Sequence, residues 1–173
     1  MEKNNKKTTT NKIRYEFILW YMWFFKNIPG QLGCLVRRLF IGNINKNSNI
    51  WDNVTIDYPS RLTVGYNSSI NRGCVLNCAG EIIIGNNVLI GPNTIIYSQN
   101  HNYKNKSTLI NKQGYFLDKV IIKDNVWIAA NVIILPGVTI EKGSIIGAGS
   151  IVTKNTKPYS IYVGKRAEFK KEY

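Results

Sequence analysis

The chain has 173 residues, a hydrophobic fraction of 44% and a formal net charge of +13. That length and apolar content exclude a disordered chain and give one core-forming domain with at most an appendage. The charge invites an anionic partner, whether nucleic acid, a membrane surface or a phosphate-rich ligand.

The excess charge sits at the front, with nine Lys or Arg against two acidic residues in residues 1–46 and fourteen against eight thereafter. Residues 1–12 are polar and basic and are expected to be mobile. Ile13, Phe17, Trp20, Tyr21, Phe24 and Ile28 then recur at helical spacing. The unbroken apolar run 17–25 is too short to span a bilayer, and no small-x-small cleavage site follows it. Pro29-Gly30 ends this helix, and Leu32, Leu35, Val36, Leu39 and Phe40 mark a second, amphipathic one with Arg37 and Arg38 on its opposite face. Two such helices can lie peripherally in a headgroup layer, or pack on the rest of the chain or on a neighbouring subunit.

Residues 42–53 are rich in Asn and Ser and read as a link. Beyond them a six-residue step becomes legible at Val64, Ile70 and Leu76, and again, shifted by two residues, at Ile84, Ile90 and Ile96. The step fails between 98 and 118, where a polar insertion carrying Asn100, His101 and Tyr103 should leave as a loop. It is clearest over 125–154: Ile122, Ile128, Ile134, Ile140, Ile146 and Val152 follow one another at six, each with a small or aliphatic residue two positions earlier. A helix would scatter such positions around its axis. A spacing of two puts each pair on one face of an extended segment, so the pattern predicts a coil of short strands whose inward pairs stack, a hexapeptide β-helix.

Cys34, Cys74 and Cys78 form no CxxC and no paired framework, which suits a reducing compartment and small apolar fillers. His101 is the single histidine, so a site holding zinc through several histidines cannot be built. On a polar loop it is a candidate general base, because imidazole can take and return a proton near neutral pH. For nucleic acid, no aromatic-and-basic strand pattern or recognition helix appears. The basic tail reads as a solvated face or a phosphate site.

The motifs Asn125-Val126-Trp127-Ile128, Ile134-Leu135-Pro136-Gly137-Val138 and Ile146-Gly147-Ala148-Gly149-Ser150 resemble those of the hexapeptide-repeat acyltransferases. The likeness is nearest to the O-acetyltransferases of maltose, galactosides and bacterial surface polysaccharides. The stretch 97–103 is similar to the loop that holds that family's catalytic histidine. The resemblance implies an all-β, left-handed parallel β-helix, an exception to the usual handedness of parallel connections. It also implies a homotrimer with active sites between subunits, and direct acetyl transfer from acetyl-CoA to a sugar hydroxyl without a metal.

By the same resemblance His101 is the base, Asn71, Asn100 and Tyr103 meet the carbohydrate acceptor, and Trp127, Ala130, Ala148, Thr153 and Lys154 line the cofactor's path. Where the family often closes with Gly-Asn-Pro-Ala-Lys, this chain has Gly164-Lys165-Arg166-Ala167-Glu168, which passes the phosphate contact to Arg166 or Lys171. A backbone carbonyl or Asp118 would orient His101. The expected organisation is a helical segment over 1–46, the β-helix over 47–164 with loop 98–118, and a tail over 165–173. The expected activity is O-acetylation of a surface-polysaccharide sugar or its precursor on the cytoplasmic side, peripheral to the membrane. The alternatives are N-acetylation of a nucleotide-linked amino sugar and a membrane-binding scaffold without enzymatic activity.

Overall fold

The computed structural model describes residues 16–17, 20, 23–41, 43–165 and 168–172. The expectation for residues 1–12 lies outside these, as does Arg166. The described part of the chain winds into a three-sided coil. The first sheet stacks Asn43–Ile44, Leu62–Val64, Ile82–Ile84, Val120–Ile122 and Thr139–Ile140, all parallel. The second stacks Asn49–Ile50, Ser69–Ile70, Leu89–Ile90, Trp127–Ile128, Ile145–Ile146 and Ser160–Val163. The third stacks Thr55–Asp57, Val75–Asn77, Ile95–Tyr97, Ile133–Ile134 and Ile151–Val152.

The six-residue step is the length of one side plus one corner. Its branched residues point inward: Ile122, Ile128, Ile134, Ile140, Ile146 and Val152 are all buried. Each such side chain contributes roughly 1.5–3 kcal/mol relative to exposure. Small hydroxyls fill the narrower inward positions, and Ser68 satisfies itself on the neighbouring coil: its Oγ donates to Gly85 O at 2.8 Å and accepts from Val88 N at 3.0 Å. Left-handed backbone at Asn53, Asn67, Asn87, Asn93, Asn125 and Asn131 turns the corners, because asparagine tolerates positive φ better than other side chains. Cys74 and Cys78 are buried free thiols, pushed by burial up to about 11 and about 12, which keeps them protonated and inert.

Two readings of the front half change. Residues 43–53 belong to the first turn of the coil and are not a link: Asn43–Ile44 and Asn49–Ile50 pair in register with the next turn. The inward residues Ile44, Ile50 and Ile56 keep the step of six, hidden by polar neighbours that occupy corners and outer faces. The second helix, Gly30–Phe40, is turned over. Its buried side is Gly33, Cys34 and Arg37, and Leu32, Leu35 and Leu39 face outward. Gly33 fixes this, since a Cβ there would collide with the Ile28 carbonyl. Arg37 does the rest by donating from Nε to Ile50 O at 2.9 Å and from Nη1 to Ile28 O at 2.9 Å.

The tail also acquires structure. Glu168–Glu172 pairs antiparallel with Ser160–Val163 at the far edge of the second sheet.

Candidate active site

The first three turns carry their irregularities at the corner between the third and first sheets. A short 3-10 turn, Pro59–Arg61, fills that corner in the first turn, and residues 78–81 fill it in the second. In the third turn the same corner releases the insertion, which forms an antiparallel hairpin of Gln99–His101 and Tyr115–Leu117. At its base Asp118 N donates to Ser98 O at 2.9 Å, and Ser98 Oγ donates to Asn77 O at 2.7 Å, so a buried serine anchors the hairpin to the coil.

The hairpin end is held by one amide. Gln113 Nε2 donates to Asn105 O at 2.8 Å and to Thr108 O at 2.7 Å, and its Oε1 accepts from Asn105 N at 3.1 Å. Asn102 Nδ2 donates to Gln113 O at 3.2 Å, which ties the strand carrying His101 into the same knot. His101 is exposed and faces its cross-strand partner Tyr115, with ring centroids 4.5 Å apart. Asn100 turns back on the backbone, its Oδ1 accepting from His101 N at 2.9 Å, and Tyr103 is exposed beyond it. Asp118 sits three residues below His101, roughly 10 Å along the strand, with its carboxylate against Gly137. It therefore does not orient the imidazole within one chain.

The second feature lies at the corner between the second and third sheets. The residues that follow each inward isoleucine of the second sheet stack there, Asn71 N donating to Ile90 O at 3.0 Å and Gly91 N to Ile128 O at 2.7 Å. They line a groove of about 360 Å³ with Ser69, Leu89, Pro92, Trp127, Ala129 and Ala130. The groove thus unites three predicted residues, Asn71, Trp127 and Ala130. Gly91 keeps its floor open: a Cβ there would lie 2.6 Å from the Ala129 carbonyl carbon and 2.7 Å from Ala130 N. Asn71 is not the residue that turns the corner, since Gly73 holds the left-handed position. Instead its Oδ1 accepts from Arg72 N at 2.8 Å.

Beside the groove, Arg72 stacks 5.2 Å over the Trp51 ring and pairs with Asp52 at 2.8 Å, and Trp51 Nε1 donates to Ser69 Oγ at 3.0 Å. Desolvation pushes the Asp52 carboxyl up, but its hydrogen bond from Arg72 and its own backbone hold it below the usual carboxylate value.

Groove and hairpin stand at opposite edges of the third sheet, whose width from Pro92 to Tyr97 is roughly 16 Å. Among the described residues no hydrogen bond joins the hairpin to the groove lining. One chain therefore assembles Asn71 with Trp127 and Ala130, and His101 with Tyr115, but not the two sets with each other. Ala148 lies exposed one turn beyond Ala130, at the same corner. Thr153 and Lys154 follow Ile151–Val152 and so sit across the third sheet from it, and Lys171 is exposed on the terminal strand. Gly91, Pro92 and Leu89 were legible only through their register about Ile90: Gly91 falls in step with Asn71 and Ala129, Pro92 with Ala130, and Leu89 with Ser69 and Trp127.

The bacterial transferase hexapeptide (six repeats) profile matches residues 119–154. A maltose O-acetyltransferase from Clostridium difficile is 32% identical, the alignment covering 91% of this chain and 84% of that one at a TM-score of 0.80. This chain belongs to the hexapeptide-repeat acyltransferases. The acyltransferase also superposes on a galactoside acetyltransferase in complex with coenzyme A, with 29% identity, 92% and 79% coverage and a TM-score of 0.76. A hexapeptide-repeat acetyltransferase of Vibrio cholerae complexed with acetyl coenzyme A gives 25% identity, 91% and 87% coverage and a TM-score of 0.77. No curated protein matches the chain. Membership gives the coil its left hand, which the strand register leaves open. Among the acyltransferase's described residues, no group of three or more His, Cys, Asp or Glu is placed to hold a metal ion.

Proposed function

We propose that this acyltransferase transfers the acetyl group of acetyl-CoA to a sugar hydroxyl of a bacterial surface polysaccharide or its precursor, on the cytoplasmic side, as a homotrimer. The observation that carries the reading is the pairing of one exposed histidine on a braced hairpin with a small-residue groove on the coil. Acetyl-CoA supplies an activated thioester. His101 takes the proton of the sugar hydroxyl as its oxygen attacks the thioester carbonyl. The carbon–sulfur bond then breaks, and the imidazolium returns the proton to the departing thiolate. No acyl-enzyme is needed.

The separation described above supports a site shared between copies of the chain. A neighbouring copy can bring its groove to the hairpin that its own coil holds a sheet's width away. The hairpin surface suits that role, because Tyr103, Leu109, Ile110, Tyr115 and Leu117 are exposed apolar side chains. Leu89 and Trp127 are exposed on the outer face of the second sheet. Purified protein with acetyl-CoA and a panel of sugars should release coenzyme A. NMR of the product separates an acetylated oxygen from a nitrogen, and no release with any acceptor would end the proposal.

Two variants probe the parts separately. Ala130→Leu fills the groove without touching the core, and should raise KM for acetyl-CoA roughly ten-fold or more while the melting curve stays in place. Tyr115→Ala frees the imidazole and should lower kcat roughly ten-fold with KM for acetyl-CoA unchanged, whereas Tyr115→Phe keeps the ring and should stay near wild type. Equal loss in both Tyr115 variants would show that the ring contact is not what positions His101.

A further inference from the structure

The helical front of the chain presents an apolar stripe that the fold leaves uncovered. Phe17, Trp20, Trp23 and Phe24 are 71%, 68%, 61% and 71% exposed. At 100° per residue these four positions fall within an arc of about 120°, one side of a helix. Trp20 and Trp23 meet edge to face with centroids 6.2 Å apart, so their rings extend one continuous surface. The stripe is held rather than loose. Lys26 O accepts from Asn53 N at 2.7 Å, and Arg37 Nη1 donates to Phe25 O at 3.1 Å, which fixes the end of this segment to the first turn of the coil. No described helix is long and apolar enough to cross a membrane.

We infer that this stripe docks on an anionic lipid surface. Charge selects that occupant over a second copy of the chain. Residues 1–46 hold nine basic residues, of which Arg37 is buried on backbone carbonyls, against two acidic, and the remainder holds fourteen against eight. Another copy would present positive charge to a positive segment, whereas an anionic leaflet attracts it at about 1 kcal/mol per cation near the surface. Tryptophan and phenylalanine suit the boundary of headgroups and acyl chains, where an amphipathic helix lies in the plane. The inference stands apart from the acetyl-transfer reading, since no groove or hairpin residue takes part.

The test is co-sedimentation of the full chain with zwitterionic vesicles and with vesicles rich in phosphatidylglycerol, beside Trp20→Ser/Trp23→Ser/Phe24→Ser. The wild type should bind the anionic vesicles only, and weaken as salt rises from about 0.1 to about 0.5 M. The exposed-ring variant should lose at least about ten-fold in partitioning while its circular dichroism and sedimentation coefficient stay unchanged. The inference is overturned by equal binding of variant and wild type, or by no binding to either vesicle. It is likewise overturned if the substitutions break up the oligomer, since a second copy would then be what covers the rings.

Discussion

His101→Ala should lower kcat for acetyl transfer to a sugar by on the order of 10² to 10⁴, the usual worth of a positioned general base. The imidazole is exposed and, among the described residues, its one ring neighbour is Tyr115, so its removal leaves core, coil and groove untouched. KM for acetyl-CoA should therefore hold, which separates loss of chemistry from loss of fold. The same variant tests where the site is assembled. If a site takes its hairpin from one chain and its groove from the next, co-expressing His101→Ala with Ala130→Leu should regenerate sites that carry neither lesion. At acetyl-CoA concentrations well below KM, mixed oligomers should then exceed the activity of both parents. Activity of His101→Ala within about ten-fold of wild type would remove the base from the mechanism. Mixed oligomers no better than the separate variants would place the site within one chain.

What the sequence discloses of this fold depends on how many residues obey one rule at once. From Ile122 to Val152 every sixth residue is a buried aliphatic and the corners are minimal, so the coil is legible without coordinates. The first turn obeys the same step at Ile44, Ile50 and Ile56, but its corner and outer residues are mostly polar, Asn43, Asn45, Lys46, Asn47, Asn49, Asp52 and Asn53 among them, and composition masks the period. The polar insertion was legible as a departure from the coil, yet its hairpin register and the Gln113 knot depend on amide geometry that no periodicity encodes. The groove was half legible, since Asn71, Trp127 and Ala130 carry motifs while Gly91 and Pro92 matter only through stacking. The helix Gly30–Phe40 misleads for a physical reason. Hydrophobicity puts its leucines inside, but a buried cation with backbone partners outweighs that preference.

That cation carries the second large expectation. Arg37 is fully buried, and among the described residues no carboxylate is paired with it. Its Nη1 donates to Phe25 O at 3.1 Å, Lys26 O at 3.2 Å and Ile28 O at 2.9 Å, and its Nε to Ile50 O at 2.9 Å. The first three oxygens belong to the end of the aromatic segment, where helix carbonyls run out of intrahelical donors and carry partial negative charge. The fourth belongs to the first turn of the coil. One planar fork therefore closes the end of one helix and fastens it to the β-helix. Arg37→Met keeps much of the volume but leaves the Ile28 and Ile50 carbonyls without that donor, each costing about 1–3 kcal/mol when buried, while Lys26 O keeps Asn53 N and Phe25 O keeps Ile28 N. Relief of the desolvated charge offsets part of that, and the net loss should be about 3 kcal/mol. It should be local, because Ile41 alone of the segment belongs to the buried core cluster, whose other members run from Ile50 onward. Residues 23–41 should become cleavable by protease and lose hydrogen-exchange protection while 43–165 stay intact. Arg37→Lys should not rescue, since an ammonium lacks the fork that reaches both partners. Arg38→Met, which removes a single exposed bond to Lys46 O, should stay within about 0.5 kcal/mol of wild type. Protection of 23–41 in Arg37→Met equal to wild type would mean that the segment is held by its apolar contacts alone.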